Sequence, residues 1–278
     1  MLTHEVDIAF SPQSRVGSLA VSDDGKIIAW SESDQSVNIS VEMEKAQKIS
    51  IESDVKGIFF QDNNLIYADD DFGVKCVDTS GETIWQCEIP GGVSLLQKCQ
   101  DFIAVVDNLG RLSTLSHHGN SLKSFDQFTS IIMILPYSNG VIVVLESGSV
   151  HFFDGQHSVW NRPARGEVGE SITNVGLTAE NKLIIGREGY ALVPGEEEAL
   201  ELEVWDVTQD SMLFRCEIKN RLLLACDDNK ITYLGFDDGS VHQLTYQSDN
   251  TYLLSEELFS TKYPCLLYTS DAADDTCC

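Results

Sequence analysis

Short apolar runs of strand length follow one another along almost the whole chain, each bounded by Gly, Asp, Asn or Ser. No window carries a sustained i, i+3, i+4, i+7 stripe, so the pattern predicts strands and almost no helix. The runs fall into six groups of four. They lie at 16–22, 26–32, 36–42 and 46–52; at 55–60, 64–69, 73–78 and 83–89; and at 93–98, 101–107, 110–116 and 121–125. The later groups lie at 129–135, 140–146, 148–154 and 157–161; at 172–178, 182–187, 201–207 and 212–218; and at 221–227, 230–236, 240–246 and 251–258. The second runs begin near 26, 64, 101, 140, 182 and 230, so the first three intervals are 38, 37 and 39 residues. Four strands in about 40 residues is the period of a β-propeller blade. The last two intervals lengthen to 42 and 48 through two insertions, RPARGEVGE (162–170) and EGYALVPGEEEALE (188–201).

The turns agree with this grouping. DDFG (70–73), DNLG (107–110), ESG (146–148) and DDG (237–239) separate second from third runs, and SG, HG and DG (80–81, 118–119, 154–155) separate third from fourth. An Asp or Asn followed by Gly suits tight hairpins, because Gly tolerates positive φ. Runs such as LIYA (65–68), FIAVV (102–106) and VIVVL (141–145) are apolar on both faces, as strands squeezed between neighbouring blades would be. The expected fold is therefore an all-β propeller of four-stranded antiparallel blades. Six blades are recognisable, at about 16–53, 55–89, 93–126, 129–163, 172–218 and 220–258, and a seventh is expected in the intact protein. Residues 4–10 are left over and are expected to form a ring-closing strand, with 1–264 making one propeller domain.

Third runs end in a hydrophobic residue and Asp: KCVD (75–78), HFFD (151–154) and EVWD (203–206), the last with a literal Trp205–Asp206. These endings resemble the WD-repeat family. The second blade also resembles the pyrroloquinoline-quinone-type (PQQ-like) propeller repeat, through Gly73, Asp78, Gly81 and Trp85, and the fourth blade repeats it with Gly148, Asp154 and Trp160. The run GRLSTLS departs from the pattern by ending without Asp, and no Gly-His pair opens the blades. Asp78, Gly81, Trp85, Asp154, Trp160, Trp205 and Asp206 are read as a structural repeat signature, because the resemblance speaks to fold and not to activity.

Charge narrows the function classes. The chain has 18 Lys+Arg against 44 Asp+Glu, a formal charge of −26. Phosphate recognition relies on Lys and Arg, so nucleic acid and anionic membrane are not the expected partners. Such acidity reads first as solubility or adaptation to a salty interior; its functional alternative is a basic protein partner, for which the acidic stretch Glu196, Glu197, Glu198 is the candidate contact. The start MLTHEVDIAFSP has neither a basic n-region nor an apolar core of signal-peptide length. Residues 265–274, CLLYTSDAAD, resemble the translation of a transposase sequencing adaptor, so 265–278 is read as a non-native tail. Without it five cysteines remain, Cys76, Cys87, Cys99, Cys216 and Cys226, with no CxxC pair. That argues against a disulfide framework or zinc site and for a reducing, cytoplasmic setting.

A search for chemistry finds no GxSxG, no Walker A loop, no dinucleotide fingerprint and no HExxH. His117 and His118 fall in a turn and are expected to be exposed. The acidic clusters 69–71, 227–228 and 237–238 lack Ca²⁺-loop spacing and read as solvated turns. Expected, then, is a non-catalytic, monomeric propeller scaffold for protein–protein interaction, with no catalytic residue, metal or cofactor. The alternatives are a quinone-dependent dehydrogenase propeller and a sensor or assembly domain of a longer protein.

Overall fold

The computed structural model describes residues 12–51, 53–120, 123–165, 170–189, 199–227, 231–247 and 251–260. Residues 4–10, Glu196–Glu198 and the 265–278 tail lie outside the described residues. All regular structure among the described residues is β. Contacts divide the chain into two compact units, Met1–Thr129 and Ser130–Cys278.

The first unit holds three sheets. Sheet one is Val16–Val21 (β1), Ile27–Glu32 (β2), Ser36–Val41 (β3) and Gln47–Ser50 (β4). Sheet two is Val55–Gln61 (β5), Asn64–Asp69 (β6), Gly73–Val77 (β7) and Thr83–Glu88 (β8). Sheet three is Val93–Lys98 (β9), Ile103–Asp107 (β10), Leu112–Leu115 (β11) and Lys123–Phe125 (β12).

The second unit holds the other three. Sheet four is Ile131–Tyr137 (β13), Gly140–Leu145 (β14), Val150–Phe153 (β15) and Ser158–Arg162 (β16). Sheet five is Glu170–Leu177 (β17), Leu183–Gly189 (β18), Leu200–Asp206 (β19) and Ser211–Ile218 (β20). Sheet six is Leu222–Asp227 (β21), Thr232–Phe236 (β22), Ser240–Tyr246 (β23) and Tyr252–Leu254 (β24); a short fifth strand, Phe259–Ser260 (β25), pairs with β23 beyond the end of β24. Every sheet is an antiparallel meander of sequence neighbours, as the hairpin spacing requires.

Within each unit the first strands of successive sheets touch one another: β1 meets β5, β5 meets β9, β13 meets β17 and β17 meets β21. The second strands are the most buried, and β10 is buried at all five positions. They are covered on both faces, which explains their unbroken apolar runs. The fourth strands face outward on one side, and the burial of β8 and β20 alternates accordingly. Apolar cores fill the spaces between sheets. Ile66, Val74, Val93 and Ile103 join sheets two and three, and Ile142, Phe152, Ile172 and Ile185 join sheets four and five.

A register shift recurs near the start of the first strand in five sheets, at 16/19, 55/57, 131/133, 172/174 and 222/224. Such bulges add twist and bend the strand. The sequence pattern gave no sign of them. Nor are all the acidic turns solvated, as expected above. Asp69 is buried, and it accepts hydrogen bonds from the Phe72 (2.5 Å) and Gly73 (3.3 Å) amides with Lys75 Nζ at 3.3 Å. His117 is half-buried rather than exposed, its Nε2 lying 3.2 Å from the Cys99 carbonyl.

Candidate interaction site

The signature Asp and Gly residues sit at the turn between third and fourth strands. Asp78 accepts from the Ser80 amide (2.8 Å), the Ser80 hydroxyl (2.7 Å) and the Glu82 amide (2.9 Å). The Ser80 hydroxyl bond, followed by the Glu82 amide, holds its carboxyl below the ordinary value. Asp154 accepts from the Gln156 and His157 amides, both at 2.8 Å. Asp206 accepts from the Thr208 amide (3.0 Å), the Thr208 hydroxyl (2.6 Å) and Lys182 Nζ (2.6 Å). Burial alone would raise the Asp206 carboxyl, but the Lys182 and Thr208 bonds outweigh it and bring it down to about 2. Gly81 follows Asp78 with φ +81°, and a Cβ there would sit 3.1 Å from the Ile49 side chain of the preceding sheet. These Asp residues are turn staples, the Asx arrangement that lets a short hairpin satisfy its own amides.

The signature tryptophans lie against neighbouring sheets. Trp85 is half-buried against the core of sheets two and three, and the turn of sheet three covers it so closely that a Cβ on Gly119 (φ +73°) would stand 2.4 Å from the ring. Trp160 of β16 donates its indole N–H to Asp210 Oδ1 of sheet five at 2.7 Å and meets Trp205 edge-on, centroids 5.7 Å apart. Trp205 in turn donates to Glu203 Oε2 at 2.6 Å.

That last bond opens onto a buried ionic cluster that the sequence reading did not anticipate. Glu170 (β17), Arg187 (β18), Glu201 and Glu203 (β19) and Arg215 (β20) meet Arg162 and Arg165 from the end of sheet four. Cross-strand pairing of Arg187 with Glu201 and of Glu203 with Arg215 places these four on one face. Arg162 grips Glu203 through Nε (3.0 Å) and Nη2 (2.9 Å) and also bonds Glu170; Arg187 bonds both Glu170 and Glu201. The Arg162 side chain is 2% exposed, and those of Glu170 and Glu203 are 0%. Burial would raise the Glu170 carboxyl, yet the Arg162 hydrogen bond and charge, then Arg187, hold it below the ordinary value. Glu201 is likewise held low against its burial by Arg215 and Arg187. The two insertions supply Arg162, Arg165, Glu170 and Glu201. The available signal was the clustering of arginine: five of the chain's seven lie between 162 and 221, in an otherwise acidic sequence.

At the opposite edge of sheet five, a cleft of about 290 Å³ opens between sheets five and six. Glu180 and Lys182 from the β17–β18 turn form one wall, Asp206, Gln209 and Leu213 a second, and Tyr246 and Tyr252 of sheet six the third. The two tyrosine rings are tilted 52° with centroids 5.2 Å apart. Tyr252 is buried and donates its hydroxyl to Glu180 Oε2 at 3.2 Å; burial, reinforced by the Glu180 charge, pushes its phenol up to about 12. Lys182 is engaged by Asp206, so the lining carries one carboxylate in excess, Glu180. A cleft this small is at the lower limit of small-molecule pockets and suits one side chain better than a cofactor. Among the described residues no group of three His, Cys, Asp or Glu is placed to hold a metal, and no helix is long and apolar enough to cross a membrane.

No protein-family model matches the sequence, and no curated protein matches it either. Solved structures do. The C-terminal WD40 domain of Sif2 superposes with a TM-score of 0.69 at 13% identity, over 92% of this chain and 75% of that one. BamB from Moraxella catarrhalis gives a TM-score of 0.62 at 11% identity, over 89% and 75%. A chain of the S. cerevisiae assembly of Dbp5, Nup159 and Gle1 gives 0.59 at 10% identity, over 86% and 78%. At these identities the likeness is one of fold. The six antiparallel sheets are the blades of a β-propeller of the WD40 and PQQ-like kind, in agreement with the resemblance drawn from the sequence.

Proposed function

We propose that this propeller is a non-catalytic scaffold that binds a basic protein partner in the cytoplasm as a monomer, without cofactor, nucleic acid or membrane. The observation that carries this reading is that every sheet carries exposed carboxylates at its turns: Asp24, Glu82, Asp101 and Glu180 at the end where first strands turn into second and third into fourth, and Glu146 and Asp238 at the opposite end of their sheets. Turns on a packed sheet are presented at little entropic cost, and a field of one sign steers an oppositely charged partner. In the second unit the arginines that could offset this field are turned inward or paired with glutamates. A complex of several proteins among the structural neighbours is consistent with a binding role for the fold.

The test is fluorescence anisotropy with labelled basic, neutral and acidic peptides at low and moderate salt. Saturable binding of the basic peptides alone, weakening as salt rises, is the expected result. No binding of basic peptides, or equal binding of acidic ones, would overturn the reading. The segment Glu196–Glu198 is tested in the same assay by replacing all three with Gln. Deleting 195–202 is unsuitable, because Glu201 and Leu202 belong to β19 and are buried.

A further inference from the structure

The cleft between sheets five and six has the chemistry of a cation receptor. From its shape and charge we infer that it takes a single arginine or lysine side chain of a basic partner, an assignment that rests on the binding reading above and names its site. Three features converge. Tyr246 is 41% exposed and lies beside buried Tyr252, which presents aromatic surface to a space of about 290 Å³. Aromatic faces attract guanidinium and ammonium groups through their quadrupole. Glu180 supplies a carboxylate from the facing wall and is oriented by the Tyr252 hydroxyl at 3.2 Å. The third feature is selectivity: Lys182 is neutralised by Asp206 at 2.6 Å and leaves the lining one negative charge in excess, so one entering cation balances it.

A neutral or acidic side chain would gain nothing from this arrangement, and a carboxylate would meet Glu180 at close quarters. Leu213 gives the stem of a long side chain an apolar wall. The volume matches roughly ten water molecules at about 30 Å³ each, enough for one long side chain and too little for a folded element. The peptide backbone would therefore run across the rim, with one basic residue inserted.

The experiment uses the full chain with ¹³C-labelled tyrosine rings. The probes are the peptide Gly-Ser-Gly-Arg-Gly-Ser-Gly and its citrulline counterpart, which keeps the shape and removes the charge. The Tyr246 and Tyr252 resonances should shift saturably with the arginine peptide and stay put with citrulline. Glu180→Gln should weaken the arginine peptide about tenfold, the value of a hydrogen bond to a charged group. Tyr246→Leu should weaken it about two- to fivefold, the range of an exposed cation–π contact. Both residues are exposed, so the urea midpoints of the variants should stay near wild type and separate binding from folding. Equal shifts from the citrulline peptide would overturn the inference without any variant. Basic peptides that bind wild type, Glu180→Gln and Tyr246→Leu alike would overturn this site and leave the scaffold reading standing. If wild type binds no basic peptide at all, both fall together.

Discussion

Replacing Arg162 with Met would remove the hub of the ionic cluster and keep an unbranched apolar stem in its place. The guanidinium makes two hydrogen bonds to Glu203 and two to Glu170, and it reaches the Gly148 carbonyl at 3.3 Å. Both carboxylates are fully enclosed, so neither can recover the loss from water. Each keeps a second cation, Arg187 for Glu170 and Arg165 for Glu203. Removing one partner from a buried pair costs about 3–5 kcal/mol. That is a large part of the ~5–15 kcal/mol that holds a domain together. For a folding unit of this size it corresponds to a fall in Tm of roughly 6–20 °C. Urea titration followed by tryptophan fluorescence reads the effect directly, because Trp205 donates to Glu203 of the cluster and Trp160 packs edge-on against Trp205. Lys26→Ala is the control: its pair with Glu42 spans 4.0 Å with both side chains more than half exposed, and the loss should stay below about 0.5 kcal/mol. If Arg162→Met unfolds within 1 kcal/mol of wild type by the same titration, about the error of such extrapolations, then the cluster is ornamental and the argument from burial is wrong.

Gly119→Ala should cost about 2 kcal/mol or more and shift Trp85 emission, because it adds positive-φ strain to a clash with the ring. Gly91→Ala, with φ +92° and nothing within 4 Å, should cost only the strain, about 1 kcal/mol; equal losses at the two sites would refute the clash. Asp206 has its folded carboxyl lowered to about 2 from 3.8, so its stabilisation is present above pH 3.8 and is lost as pH falls toward 2. The stability gap between wild type and Asp206→Asn should accordingly narrow through that window, and a gap that is constant or widens with acid would contradict the assignment. Thiol labelling mapped by mass spectrometry should modify exposed Cys226 first. Cys76 and Cys99, whose thiols burial pushes up to about 11 and about 12, should react only on unfolding. Early labelling of Cys99 would mean that sheet three opens locally.

The blades were legible because their signals are local. Alternation, run length and Asp-Gly turns act within a few residues, and each strand pairs with its sequence neighbour, so period alone fixed the sheet order. Asp78, Asp154 and Asp206 were visible as a repeat mark, and their work as turn staples follows from chemistry within four residues. The ionic cluster was not legible in the same way. Arg162 and Glu203 are 41 residues apart and meet only when sheet four faces sheet five. In a sequence, EVWD reads as a strand with a polar flank, and nothing marks Glu203 as the most enclosed carboxylate of that sheet. Asp69 misled for a related reason: a DDD run looks like solvent-facing turn until a strand end folds one member inward. The cleft was invisible because Glu180 and Tyr252 belong to different sheets.

The meander has a consequence for the order in which the chain can take shape. Each sheet closes on itself within about 40 consecutive residues, a length that a ribosome delivers in about 2–8 s. A hairpin forms in ~1–10 μs, so the backbone pairing of one sheet can be complete long before the next has left the exit tunnel. What must wait, within each unit, is the covering of an exposed face by the following sheet. Trp85 is the marker of that delay, since it sits on sheet two while its lid, Gly119, arrives with sheet three. Within each unit the chain is thus built to assemble in the direction of its own synthesis, each later sheet shielding the one before it.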